Sequence, residues 1–321
     1  MQCLHILHNV HCLLIPLKLV IPVYAIKLPR LHRAAGEPLL NKGKEMKTKI
    51  IAVANQKGGV GKSTVTRELS ALCAINGYKT LMIDIDPQGN LTNSWIEDID
   101  EINPVTLAHV LIRPNSGKKE DIQSIEAAMI ATSIPNLDLV ATDYRLIAIE
   151  KEPPSTIYRL KRELREKASE YDFIFIDCPP HLGNALESAL TAADYLLIPC
   201  AATAMGLEGL SQLVYTAERI SGDINPDLKI LGALVNLYKT RRLLANEAYR
   251  VIESRSDIVP YVFKQVLNDY AEIAEAPSYR LPVIVTAPNS KAAKQIKEIT
   301  KEMMSKLGLP LKKKKTKGGS K

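Results

Sequence analysis

Aromatic side chains are scarce, at 5% of 321 residues, with three phenylalanines and a single tryptophan, Trp95. The core must therefore be filled by Ile, Leu, Val and Ala, as in α/β proteins with buried parallel strands. The five cysteines (Cys3, Cys12, Cys73, Cys178, Cys200) are odd in number and form no CxxC pair. That argues against a disulfide framework or a zinc ribbon and fits a reducing cytoplasm. No long unbroken apolar run is present. The best candidate, residues 13–28, is interrupted by Pro16, Lys18 and Pro22, and no Lys or Arg precedes it. A spanning helix needs about 20 apolar residues and a signal peptide needs a basic start, so both readings are weakened.

Acids are also rare at the N-terminus: residues 1–45 contain only Glu37 and Glu45, yet four of the six histidines. This leader reads as a segment ahead of a natural start at Met46, with a disordered extension or a targeting segment as alternatives. From Met46 the composition is that of an ordinary globular protein; over the whole chain, 46% of residues are hydrophobic and 24% charged. The net charge of +7 owes much to the end of the chain, where Lys312, Lys313, Lys314, Lys315, Lys317 and Lys321 crowd together. Such a run is a solvated tail or a weak electrostatic contact with nucleic acid or an anionic membrane. The expected division is a leader (1–45), a folded domain (46–308) and a basic tail (309–321).

Between these ends strands alternate with helices. Apolar stretches at 49–54, 80–85, 137–141, 173–177, 195–199 and 228–236 predict strands. Helices are predicted at 61–76 (ending at Gly77), 122–133, 155–170, 184–193, 206–221, 241–255 and 289–307. This alternation implies βαβ units: an α/β fold with a mostly parallel twisted sheet and helices on both faces. Ligands in such folds bind at the carboxyl ends of the strands.

The first strand runs into Gln56-Lys57-Gly58-Gly59-Val60-Gly61-Lys62-Ser63-Thr64, which opens a helix. Glycines let backbone N–H groups of this loop wrap a phosphate, and the helix N-terminus adds positive potential. Lys62 is expected to reach the β- and γ-phosphates and the Ser63 hydroxyl to ligate Mg²⁺. Strand, Gly-Lys-Ser-Thr ending and helix together identify a P-loop NTPase. Two further strands end in acids. Asp84 and Asp86, two residues apart, emerge on one side of the second strand, where paired carboxylates suit Mg²⁺-bound water and an attacking water. Phe173-Ile174-Phe175-Ile176-Asp177 matches the second P-loop carboxylate, which holds Mg²⁺. His181 reads as a surface loop residue, and Cys178 as a small packing residue.

Lys57, placed just before the first glycine, resembles the extra lysine of the deviant loop in the ParA/MinD ATPases. The resemblance covers roughly residues 48–308. It includes Asp86-Pro87-Gln88-Gly89-Asn90, closer to ParA and Soj than to MinD, and Ala204-Met205-Gly206-Leu207-Glu208-Gly209. It extends to the strand from Gly232 to Tyr238, and to Ala274-Glu275-Ala276-Pro277-Ser278. The resemblance implies a homodimer with ATP at the interface and Lys57 acting on the partner's nucleotide, as an arginine finger does. It also implies that Asp86 positions the hydrolytic water, that Asp84 supports the water shell of Mg²⁺, and that Asn236 contacts adenine. Pro179-Pro180-His181-Leu182-Gly183 looks like the family's γ-phosphate-sensing switch loop.

Members of this family bind DNA nonspecifically as ATP-bound dimers, with hydrolysis stimulated by a ParB-like protein. The implied location is the cytoplasm, on the nucleoid. Lys239, Arg241 and Arg242 occupy one of the family's DNA-contact positions. Asn268-Asp269-Tyr270-Ala271-Glu272 is acidic where a second basic position is usual. The competing expectation is a MinD-like positioning ATPase whose amphipathic helix, 289–307, would lie on a membrane. That helix has no Phe or Trp anchor, which favours docking on its own domain. An iron–sulfur carrier shares the loop but needs cysteines at other positions.

Overall fold

The computed structural model describes residues 47–114, 122–238, 243–254 and 262–310. The chain divides into Met1–Glu45 and Met46–Lys321. The leader, the lysine-rich end beyond Pro310, and Lys239, Arg241 and Arg242 lie outside the described residues.

β1 (Lys49–Val53) leads into α1 (Lys62–Ile75), and β2 (Thr80–Asp84) into three short helices, α2 (Asn90–Asn93), α3 (Ile99–Ile102) and α4 (Leu107–Leu111). β3 (Met129–Ala131) and β4 (Leu137–Val140) follow, then α5 (Ile157–Lys167), β5 (Phe173–Asp177), α6 (Asn184–Ala192), β6 (Tyr195–Ala201), α7 (Ala204–Asp223) and β7 (Lys229–Asn236). The C-terminal part contains α8 (Leu243–Ser254), the short α9 (Ala271–Glu275) and α10 (Val283–Thr286), and α11 (Lys291–Lys306).

The seven strands form one sheet in the order β3-β4-β2-β5-β1-β6-β7. Every pairing is parallel except β3 with β4. Side chains alternate faces along a strand, and the sequence exploits this. Ala52, Leu81, Ile83, Ile174 and Ile176 point to one face, where Leu160 and Leu164 of α5, Leu186 and Leu190 of α6 and Leu210 and Leu213 of α7 cover them. Ile51, Val53, Phe173 and Phe175 point to the other, beneath Val65, Leu69 and Leu72 of α1 and Ile296, Ile299 and Met303 of α11. Each large apolar side chain so buried contributes about 1.5–3 kcal/mol relative to exposure. Both faces are thus covered by helices.

The expected helix over 122–133 is not formed. Ile125–Ala128 makes a 3-10 turn and Met129–Ala131 becomes the antiparallel edge strand. The reason lies in the following turn. Pro135 and Asn136, the latter left-handed at φ 66°, fold the chain back so that the Thr132 N–H donates to Leu137 O at 3.1 Å. Tight-turn chemistry therefore overrides the helical spacing of Ile122, Ile125 and Met129.

The amphipathic helix α11 starts at Ser290, whose hydroxyl accepts from the Ala293 N–H at 3.0 Å, an N-cap. Its apolar stripe is buried: Ala292, Ile296, Ile299 and Met303 are each 1% exposed or less. The face that a membrane helix would need is turned into the protein's own core.

Candidate functional site

Register brings the site together. Val53, Asp177 and Asp84 are Cα partners across β1, β5 and β2, so three strand ends stand side by side at the carboxyl edge of the sheet. The Gly-rich loop leaves β1 at this edge, and the Asp84–Asp86 turn leaves β2. The Cys178 N–H donates to Val53 O (3.1 Å), and the Ile85 N–H to Asp177 O (3.0 Å). These bonds continue the sheet one residue past its formal end and fix both turns.

Gly58, Gly59, Lys62, Ser63, Thr64 and Asp86 line a cleft of about 220 Å³, together with Gln88, Asn90 and Pro180. Gly61, also on its wall, precedes α1 with φ 85°. Lys62 is 7% exposed, and its ammonium donates to the Lys57 carbonyl at 3.3 Å. Burial lowers the Lys62 pKa, opposed by the nearby charges of Asp177 and Asp86.

Asp177 is fully buried, and neither carboxyl oxygen has a hydrogen-bond partner. Burial pushes its pKa well up, and the charge of Asp84 pushes it further; the Ser63 hydroxyl, close by but short of full hydrogen-bond geometry, and Lys62 pull it down. An orphaned buried carboxylate is costly. Two free oxygens beside a serine hydroxyl fit a hard divalent cation, and Mg²⁺ ordinarily takes one or two protein carboxylates and fills its shell with water and phosphate. Among the described residues no cluster of three or more His, Cys, Asp or Glu forms a self-contained metal cage.

The other aspartates divide the work. Asp86, 5% exposed, faces the cleft, and its Oδ1 accepts from the Gln88 N–H at 3.0 Å. Asp84 lies behind it with no exposed surface and with both oxygens engaged. Oδ2 accepts from the Thr92 N–H and hydroxyl, both at 2.8 Å, and Oδ1 from the Asp86 N–H at 3.2 Å. Burial pushes its pKa up to about 7 despite the bonds from Thr92. Asp84 thus fixes the turn that presents Asp86.

Asn236 ends β7 beneath the loop. Its amide donates to the Val60 carbonyl at 2.9 Å, and its oxygen accepts from the Leu237 N–H at 2.8 Å. With 1% exposure, the side chain is occupied in bracing the loop. Asn55 braces the other end: its Oδ1 accepts from the Lys57 N–H (2.9 Å) and its Nδ2 donates to Pro199 O (2.8 Å). Lys57 does not line the cleft, and among the described residues its ammonium has no hydrogen-bond or ion-pair partner.

Sequence reasoning missed Asn55, Thr92 and Glu150. The turn ahead of Thr92 was a signal for it. Nothing local announces Glu150, whose carboxylate reaches Asn184, 34 residues on.

A family model described as an AAA domain matches residues 48–230. The chain is 38% identical over 260 residues to the sporulation initiation inhibitor protein Soj of Bacillus subtilis, covering 79% of this chain and 98% of that one. It is 34% identical over 257 residues to the chromosome partitioning protein ParA of Myxococcus xanthus, covering 80% and 88%. Among solved structures, cobyrinic acid a,c-diamide synthase of Mycobacterium smegmatis with bound ATP analogue and magnesium superposes with a TM-score of 0.66. That match is 29% identical and covers 79% of this chain and 92% of the other.

Proposed function

Because the chain belongs to the Soj/ParA family of P-loop ATPases, we propose that it is an ATP-driven dimerising switch. In this reading it binds DNA nonspecifically and, with a ParB-like partner, segregates plasmid or chromosomal DNA. Its cofactors are ATP and Mg²⁺. The carrying observation is the divergence of two lysines in one loop: Lys62 lines the cleft, whereas Lys57 does not and is unpartnered among the described residues. A half-buried lysine outside the cleft, with no partner among the described residues, is available to a second copy. A cleft of about 220 Å³ is smaller than a typical ligand pocket, so a second copy would complete it.

Mg²⁺ bound with ATP would neutralise phosphate charge. The loop N–H groups and Lys62 hold the phosphates, and Ser63 and Asp177 supply oxygens to the cation. Asp86 orients the water whose oxygen bonds to the γ-phosphorus as the bond to the bridging oxygen breaks, releasing ADP and phosphate. Lys57 of the second copy stabilises charge in that transition state. No arginine lines the cleft among the described residues, so intrinsic turnover is slow until a partner protein stimulates it. DNA contact is assigned to Lys239, Arg241 and Arg242 and to the lysine tail, and the location to the cytoplasm and nucleoid. A MinD-like membrane role has no comparable support, since the stripe of α11 is buried. Among the described residues no helix is long and apolar enough to cross a membrane.

The test is binding to nonspecific double-stranded DNA with ADP, with ATP, and with ATP plus an Asp86→Ala variant, at two salt concentrations. Binding only with ATP, retained by the variant and weakened by salt, is expected. Equal binding in every nucleotide state would reduce the DNA role to a passive polycation and overturn the switch.

A further inference from the structure

The loop after Asp177 leads from the metal-side carboxylate, past Pro180 on the cleft wall, into α6. Gly183 stands at the N-cap of α6 and offers no side chain for the free N–H groups of the first turn. A residue from a distant segment does so instead. Glu150, in the 3-10 segment Tyr144–Lys151, accepts from the Asn184 N–H at 2.7 Å through Oε2 and from the Ala185 N–H at 3.2 Å through Oε1. The His181 imidazole lies 3.6 Å from the same Oε1. In return, the Asn184 side chain donates to the carbonyls of Ile149 and Glu152, both at 2.9 Å.

The carboxylate lies flat against Gly183. A Cβ there would lie 2.8 Å or less from all three carboxyl atoms. The backbone at Gly183 is extended (φ 168°), so a glycine is needed for this close approach and not for a left-handed conformation. The loop from Cys178 to Gly183 is thus held at two points. At one end the Cys178 N–H is bonded to β1, and at the other Glu150 grips α6 and His181. Between them Pro180 lines the cleft.

We propose that Glu150 is a positioning residue for nucleotide sensing: it sets the height of the Pro180 side of the loop over the γ-phosphate position and so governs preference for ATP over ADP. This deepens the ATPase reading above and rests on it. The α- and β-phosphates are held by the Gly-rich loop, which Glu150 does not touch. Its loss therefore acts on ATP and leaves ADP alone. A carboxylate that only capped α6 would act on stability and on both nucleotides alike.

The experiment compares wild type, Glu150→Gln and Glu150→Ala for ADP affinity, affinity for a non-hydrolysable ATP analogue with Mg²⁺, turnover and melting temperature. Glu150→Ala is expected to lose about tenfold in analogue affinity, with ADP affinity within about twofold of wild type. Glu150→Gln, which keeps an acceptor, recovers part of the loss. If Glu150→Ala proves too unstable to measure, Gly183→Ala displaces the carboxylate from the opposite side and is expected to show the same selective loss. An equal fall for both nucleotides, or a lower melting temperature with an unchanged ATP-to-ADP ratio, would overturn the proposal while leaving the ATPase reading intact. Failure of wild type to bind either nucleotide would remove the reading beneath it.

Discussion

The side-chain amide of Asn236 donates to the carbonyl of Val60 at 2.9 Å, tying the last strand of the sheet to the crown of the phosphate loop. The amide also fills the space where a side chain at Gly61 would start, so a Cβ there would overlap Asn236 Nδ2. Gly61 is further held at φ 85°, a conformation that costs a non-glycine residue on the order of 1–2 kcal/mol.

Gly61→Ala is therefore expected to weaken nucleotide binding by at least about tenfold. Removing the obstruction in a Gly61→Ala/Asn236→Ala double variant should restore part of that loss, leaving only the backbone strain. A thermodynamic cycle on nucleotide affinity reads the coupling directly. Additive losses would show that the amide is not what confines Gly61.

Lys57 is expected to act on the partner's nucleotide. Lys57→Ala should bind ATP with near-normal affinity and lose about 10³-fold in stimulated hydrolysis, the lower range for a finger residue supplied in trans. Asp86→Ala should also be inactive alone. Mixing the two inactive proteins creates one complete site per heterodimer, with Asp86 from one chain and Lys57 from the other. Recovery of activity on mixing is the expected result; a mixture as inactive as its parts would place Lys57 in its own site.

The acidic stretch at 268–272 adjoins the start of the basic one. Tyr238, immediately before Lys239, is bridged to Asn268, and the Asp269 N–H donates to Tyr238 O at 3.2 Å. Asp269 is exposed, and in the proposed reading its negative charge would oppose a DNA backbone approaching beside Tyr238. Asp269→Arg is expected to tighten ATP-dependent DNA binding and to steepen the salt slope by about 0.9, one additional phosphate neutralised. Titrations at several salt concentrations provide the check; an unchanged slope would move the DNA contact away from this edge.

Cys73, Cys178 and Cys200 are all buried. Burial pushes the Cys200 thiol up to about 12, and those of Cys73 and Cys178 upward as well, with the neighbouring charges of Asp172 and Asp177, respectively, adding to the effect. The reactive form is the thiolate. At pH 8 these three are expected to resist iodoacetamide in the native protein and to react once it is unfolded. Mapping by mass spectrometry would read this, and labelling of native Cys178 would mean that the loop after Asp177 opens.

The sequence alone was enough to read the phosphate loop, the acids at the ends of two strands and the alternation of strands and helices. Each is carried by a short contiguous pattern with a local physical cause: glycines for phosphate approach, apolar runs for buried strands, and charges where strands end. The edge strand Met129–Ala131 was not legible, because its apolar spacing also fits a helix and the following Pro-Asn turn decided the matter. Only the tertiary structure placed Asp84 behind Asp86 on Thr92, turned Asn236 under the loop, and brought Glu150 onto α6. These contacts join residues from 8 to 176 positions apart. Their energetics come from burial and from the satisfaction of particular hydrogen bonds, which are fixed once strand order and register are set and which no window of neighbouring residues encodes.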